Sequence, residues 1–241
     1  MLEGRDKNND PPLTVALDCT IDYINSNKVK NLLEEFKEEI QNGTLNFVFF
    51  KSGQKFDMFG MDNYYGAPFF MVNNSDPKWE TFKAMSRSPG IQTDILSEQW
   101  FCLAYKYASE GLDDYRRLIF ENSREILKNC PDSLRPKDDL LNQRITVSQV
   151  DDEMDVSSID IKVRGGFHKL KALALMARFY LSCIKHGVKT YSRASFGFFH
   201  PNFIVIMIQN VKDSTTIRLS PGINPRENKF IIEFLNGLTS Y

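Results

Sequence analysis

The chain has 241 residues, enough for one large domain or two modest ones around a real hydrophobic core. Hydrophobic residues are 42% and charged residues 25%, ordinary proportions for a soluble globular protein. The net charge of −1 supplies no global field toward nucleic acid or an acidic membrane.

Cys19, Cys102, Cys130 and Cys183 are scattered, with no CxxC pair and no zinc spacing, and read as free thiols of a reducing compartment. The longest apolar stretches fall far short of the ~20 residues of a membrane span. Residues 1–12 are polar, lack the apolar core of a signal peptide and read as a disordered lead-in. These features predict a cytoplasmic protein with no nucleic-acid and no membrane partner.

In chain order, residues 13–21 (LTVALDCTI) form a β-branched run broken by Asp18, a candidate buried parallel strand. Residues 28–41 place Val29, Leu32, Leu33, Phe36 and Ile40 at helical spacing, and Gly43 stops that helix. A second buried strand starts at Leu45, so the opening reads as a β-α-β unit. It runs into a polar turn over Lys51–Lys55, then a glycine-punctuated loop with Asp62, Tyr64, Tyr65 and Gly66, then an apolar return strand over 67–72. An irregular segment follows from Pro77 to Gly90. Two helical tracts are predicted at 93–108 and 113–129, divided at Gly111. Beyond Pro131, strands are expected at 145–149, 159–163, 203–208 and 215–219, with helices at 167–185 and 228–238.

The predicted organisation is therefore a lead-in over 1–12, a partial α/β domain over 13–92, long interdomain helices over 93–130, and an α+β small domain over 131–241.

Three residues carry chemistry of interest: Asp18, Lys55 and Arg218. A lysine just past a buried strand can be desolvated, which lowers its pKa and frees the amine as a nucleophile. A carboxylate at a neighbouring strand end can hold a protonated pyridine nitrogen. An arginine can grip a substrate carboxylate bidentately. Each also has a plainer role: a solvated surface lysine, a turn-capping aspartate, and an arginine in a structural salt bridge. His168, His186 and His200 are dispersed, and His200 before Pro201 reads as a turn residue. The apolar helix after Gly165–Gly166 reads as a packed core helix.

The segments LDCTI (17–21), SGQKFDMFGMDNYYG (52–66), SFGF (195–198) and TIRLSPG (216–222) together resemble fold-type I pyridoxal-phosphate enzymes. That is the aspartate-aminotransferase superfamily, and the likeness is greatest to its cystathionine synthase/lyase branch. The resemblance covers nearly all of residues 13–240 and implies the C-terminal portion of the large domain, with a mixed, mostly parallel sheet, followed by an α+β small domain. It implies pyridoxal 5'-phosphate as cofactor, with Lys55 as the catalytic residue forming the internal aldimine. Asp18 then pairs with the pyridine nitrogen, Thr20 occupies the motif's threonine position, and Ser52 binds the cofactor phosphate. Arg218, followed by Ser220 and Gly222, is the implied substrate-carboxylate arginine.

The sequence departs from the family where Gln54 replaces a frequent phosphate-binding threonine, and where no arginine follows Lys55 in its loop. Nothing before Asp18 corresponds to the family's phosphate loop and further strands. The implied function is an amino-acid transferase or lyase, and the chain reads as a portion of a longer enzyme, a short paralogue, or a chain whose sheet a second protomer or partner chain completes. A catalytically inactive binding module on the same half-fold is the alternative.

Overall fold

The computed structural model describes residues 11–21, 26–53, 55–56, 66–74, 76–86, 94–137, 143–149, 157–193, 199–206 and 213–239, with only the backbone of Ser109. The lead-in over 1–10, Asp62, Tyr64, Tyr65 and the SFGF segment lie outside them. Among the described residues the chain is mixed α/β with two sheets, and it divides into two compact units, Met1–Gln54 with Asn63–Ala104 and Lys55–Asp62 with Tyr105–Tyr241.

The first unit holds a three-stranded mixed sheet of order β1-β2-β3, from β1 (Leu13–Asp18), β2 (Leu45–Phe50) and β3 (Phe69–Val72). β1 and β2 run parallel from Leu13↔Leu45 to Asp18↔Phe50, and β3 returns antiparallel with Phe50↔Phe69. The crossover expected over 28–41 consists of α1 (Asn27–Glu35) and α2 (Lys37–Gln41), interrupted at Phe36. Ser26 starts it, accepting a hydrogen bond from Val29 N at 3.3 Å. Gly43 stops it at φ +79°, a conformation that a side chain would strain.

Along β2 the residues Leu45, Phe47 and Phe49 are buried together with Val29 of α1 and Ile40 of α2. Each such side chain contributes about 1.5–3 kcal/mol of burial. The opposite side of β1, carrying Thr14, Ala16 and Asp18, is exposed, and β1 is an edge strand of this sheet. A short helix α3 (Lys78–Ser86) occupies the segment expected to be irregular, and none of its residues is buried.

The two tracts predicted on either side of Gly111 are one helix, α4 (Ile95–Lys128), shared between the units. Gly111 does not break it because Leu112, Tyr115 and Ile119, the next turns of one face, are all buried. Anchors of that size outweigh the roughly 1 kcal/mol that glycine costs a helix interior.

The second unit is built on an antiparallel sheet of order β4-β5-β7-β6, from β4 (Ile145–Ser148), β5 (Ile159–Arg164), β6 (Asn202–Ile206) and β7 (Ser214–Ser220). Alternation in β5 and β7 puts Ile159, Ile161, Val163, Ile217 and Leu219 in one core with Phe179 of α5 (His168–Lys185) and Phe230, Ile231 and Leu235 of α6 (Pro225–Asn236). Asn224 caps α6 by accepting from Arg226 N, with Pro225 in the first turn. α5 buries only one face through Ala172, Phe179 and Cys183, while Leu170, Leu181 and Ile184 are exposed. No helix among the described residues is long and apolar enough to cross a membrane.

Candidate functional site

The parallel pairing of β1 and β2 ends both strands at the same level, Asp18 beside Phe50. Cys19 N donates to Phe50 O at 2.7 Å, carrying the ladder one step further. Asp18 Oδ1 then turns back and accepts from Thr20 N at 2.8 Å. Thr20 Oγ1 in turn accepts from Ser52 N at 2.8 Å. A D-x-T spacing allows this because an aspartate readily bonds the backbone two residues on, leaving the threonine hydroxyl for the next strand.

The segment after β2 is held from its other side too. Lys51 N donates to Pro68 O at 3.1 Å and Gly53 N to Gly66 O at 2.9 Å. Successive amides at 51, 52 and 53 therefore point alternately to the return strand and to Thr20. The result is a turn fixed at the carboxyl ends of two parallel strands, the usual place for ligands in α/β sheets. Asp18 is exposed, and its second oxygen takes no hydrogen bond from the described residues.

The structure thus brings Asp18, Thr20 and Ser52 together within the first unit. Lys55 follows at a bend, is half-buried, and belongs to the second unit rather than to the one that holds Asp18, Thr20 and Ser52. The next residue, Phe56, is buried in the second unit, its ring 5.8 Å from that of Phe120 and 5.7 Å from the Arg116 guanidinium. Arg218 lies in β7 directly opposite Asp160 of β5. Its Nε donates to Asp160 Oδ1 at 2.9 Å and its Nη2 to Asp160 Oδ2 at 3.1 Å. That hydrogen-bonded pair raises the Arg218 pKa further and holds the guanidinium charged.

Downstream of Arg218, the Gly222 Cα faces the carbonyl of Phe199 and the backbone of His200 so closely that no Cβ fits there. Asn122 Nδ2 of α4 donates to Gly222 O at 2.7 Å, and Ser220 Oγ is buried without a hydrogen-bond partner among the described residues.

Two features lie beyond the sequence reading. Lys51, expected in a polar turn, is only 4% exposed. The signal was its place directly after the apolar run Phe47–Phe50. The second is a buried acid: His200 Nδ1 and Glu227 Oε1 are hydrogen-bonded at 2.9 Å, and burial raises the Glu227 pKa while this hydrogen bond opposes the rise. Cys183 has its thiol pushed up to about 12, by burial first and then by the charge of Glu227. The partners are 27 positions apart, so no local pattern in the chain announces them.

No family model and no curated protein matches this chain.

Proposed function

We propose that the chain is a pyridoxal-phosphate-dependent transferase or lyase acting on amino acids, on a fold-type I scaffold whose sheet is completed by a second protomer or a partner chain. One observation carries this reading: Asp18, Thr20 and Ser52 are joined by hydrogen bonds at the ends of two adjacent parallel strands, with Lys55 three positions beyond Ser52. β1, the strand that bears Asp18, is an edge strand, which favours further strands from a partner.

The residues present fit the cofactor. Asp18 offers an exposed carboxylate oriented by Thr20, suited to a protonated ring nitrogen. Ser52, with its backbone fixed to Thr20, offers a hydroxyl to the phosphate. Lys55 offers the amine that holds the cofactor and moves the substrate's α-proton at Nζ. When bound, the cofactor supplies an electron sink for the α-carbon of an amino acid. In this reading Arg218 orients the substrate carboxylate.

The engagement of Arg218 by Asp160 favours a second reading, a catalytically inactive binding module on the same scaffold. The test is spectral and chemical. Incubated with pyridoxal phosphate, the full chain should gain visible absorbance, and borohydride should fix a pyridoxyl group on Lys55, located by peptide mass. Asp18→Ala should weaken cofactor binding roughly tenfold, the equivalent of one charge-assisted hydrogen bond. A label on Lys51, or spread over surface lysines, overturns the assignment. A label on Lys55 without turnover of any amino acid selects the binding module.

A further inference from the structure

We infer that the second unit carries a separate site for a small amphiphilic anion, a phosphate or carboxylate head on an apolar body. A cleft of about 660 Å³ opens where α5 crosses the β4–β5 edge of the sheet beside the end of α6, within the usual size of small-molecule sites. Arg144, Arg164, Lys171 and Arg178 line it, and no carboxylate among the described residues does. The rest of its wall is mainly apolar, with Leu134, Ile145, Leu175 and Leu238 as the large members, and Ser133, Gln143 and Thr239 add polar groups.

The cations gather here by construction. Arg144 precedes β4 and Arg164 ends β5, and the pairing of the two strands places those ends together, with Arg164 N donating to Arg144 O at 2.8 Å. Lys171 and Arg178 lie seven positions apart on α5, two turns along one helix face, with Leu175 between them. The first turn of α5 contains no acidic residue to compensate them.

Four cations around one cleft with no carboxylate in its lining set it apart from the ion pairs of the chain. Elsewhere in the chain Arg117, Arg135 and Arg218 each meet a carboxylate. Arg144, Arg164 and Lys171 meet none among the described residues, and the Arg164 guanidinium is oriented only by Thr146 Oγ1 at 3.0 Å. Like charges collected around an apolar wall repel one another until an anion is bound. The apolar wall would favour a ligand with a hydrocarbon body over a bare inorganic ion. None of these residues belongs to the proposed cofactor site, so the inference stands or falls independently of it.

The experiment titrates the full chain with hexyl phosphate, hexanoate, hexanol and inorganic phosphate by calorimetry, and follows methyl NMR signals of Leu175 and Leu238. Hexyl phosphate and hexanoate should bind saturably, one per chain, and shift those methyls. Hexanol and inorganic phosphate should bind at least tenfold more weakly. The double variant R144Q/K171Q should lose about tenfold in affinity for hexyl phosphate, while Lys37→Gln changes nothing. Equal binding of inorganic phosphate removes the apolar body from the assignment, and equal binding of hexanol removes the anion; either result overturns the proposal. Failure of hexyl phosphate to shift the Leu175 and Leu238 methyls in the unmodified chain overturns it whether or not the double variant folds.

Discussion

At the residue scale the fold commits charge in two places whose consequences can be measured. Glu227 is buried, shares one oxygen with His200, and leaves the other without a hydrogen-bond partner among the described residues. Its folded pKa lies above its ordinary value, so folding favours the protonated acid. The resulting stability is fully present below the unfolded pKa near 4.5 and is lost as pH rises through the folded pKa. Glu227→Gln removes that loss. In thermal melts the stability of E227Q relative to the parent should rise with pH above about 4.5, by on the order of 1 kcal/mol. A difference that is flat in pH would assign the effect to packing.

The second place is Arg218, whose side chain is 34% exposed against 17% for Asp160. Solvent screens part of the interaction, so a double-mutant cycle with Arg218→Met and Asp160→Asn should give a coupling of about 1 kcal/mol in urea unfolding. Strict additivity would mean that the pair contributes only geometry. Arg218 was conspicuous in the sequence because of its R-L-S-x-G setting, but Asp160 was not. The two are 58 positions apart and meet only through the register of β5 on β7, which no local pattern encodes.

At the element scale, the strands were legible because burial alternates or runs continuously along them, as in β5, where Ile159, Ile161 and Val163 are buried and the residues between them half-buried. Helices were legible in proportion to the apolar face they sink. α1, α5 and α6 were visible, whereas α3 was not, since it buries no residue and so leaves no periodic trace. The division of α4 was misread for a related reason: glycine is a local signal, while Leu112, Tyr115 and Ile119 hold the helix through long-range contacts. Gly111 is exposed within that helix. Gly111→Ala should therefore raise stability by about 0.5–1 kcal/mol in urea unfolding, without changing helix content by circular dichroism. A destabilised variant would show that the backbone there is not simply helical.

At the scale of the whole molecule, the two units do not have equal cores. The second gathers four strands with α5, α6 and Ile126 of α4, whereas the first packs three strands against two short helices. Local stability follows buried apolar contact, so the amides of β1 and β2 should open at free energies roughly 2–4 kcal/mol below those of β5 and β7. Hydrogen exchange with mass readout separates them, and one shared opening energy with one urea dependence would rule out independent units.

That inequality supplies a test of function as well as of folding. A ligand protects only those segments whose opening destroys its site, by about 2.7 kcal/mol at a hundredfold excess over its Kd. Pyridoxal phosphate held by Asp18 and Ser52 should slow exchange in β1 and β2 and leave β7 unchanged. Hexyl phosphate in the basic cleft should slow β4, β5 and α5 and leave β1 unchanged. The two sites draw on different residues and different strands, so each experiment serves as the control for the other. If pyridoxal phosphate protected β5 and α5 rather than β1, its phosphate would be binding in the basic cleft, and the strand-end turn around Thr20 would be structural only.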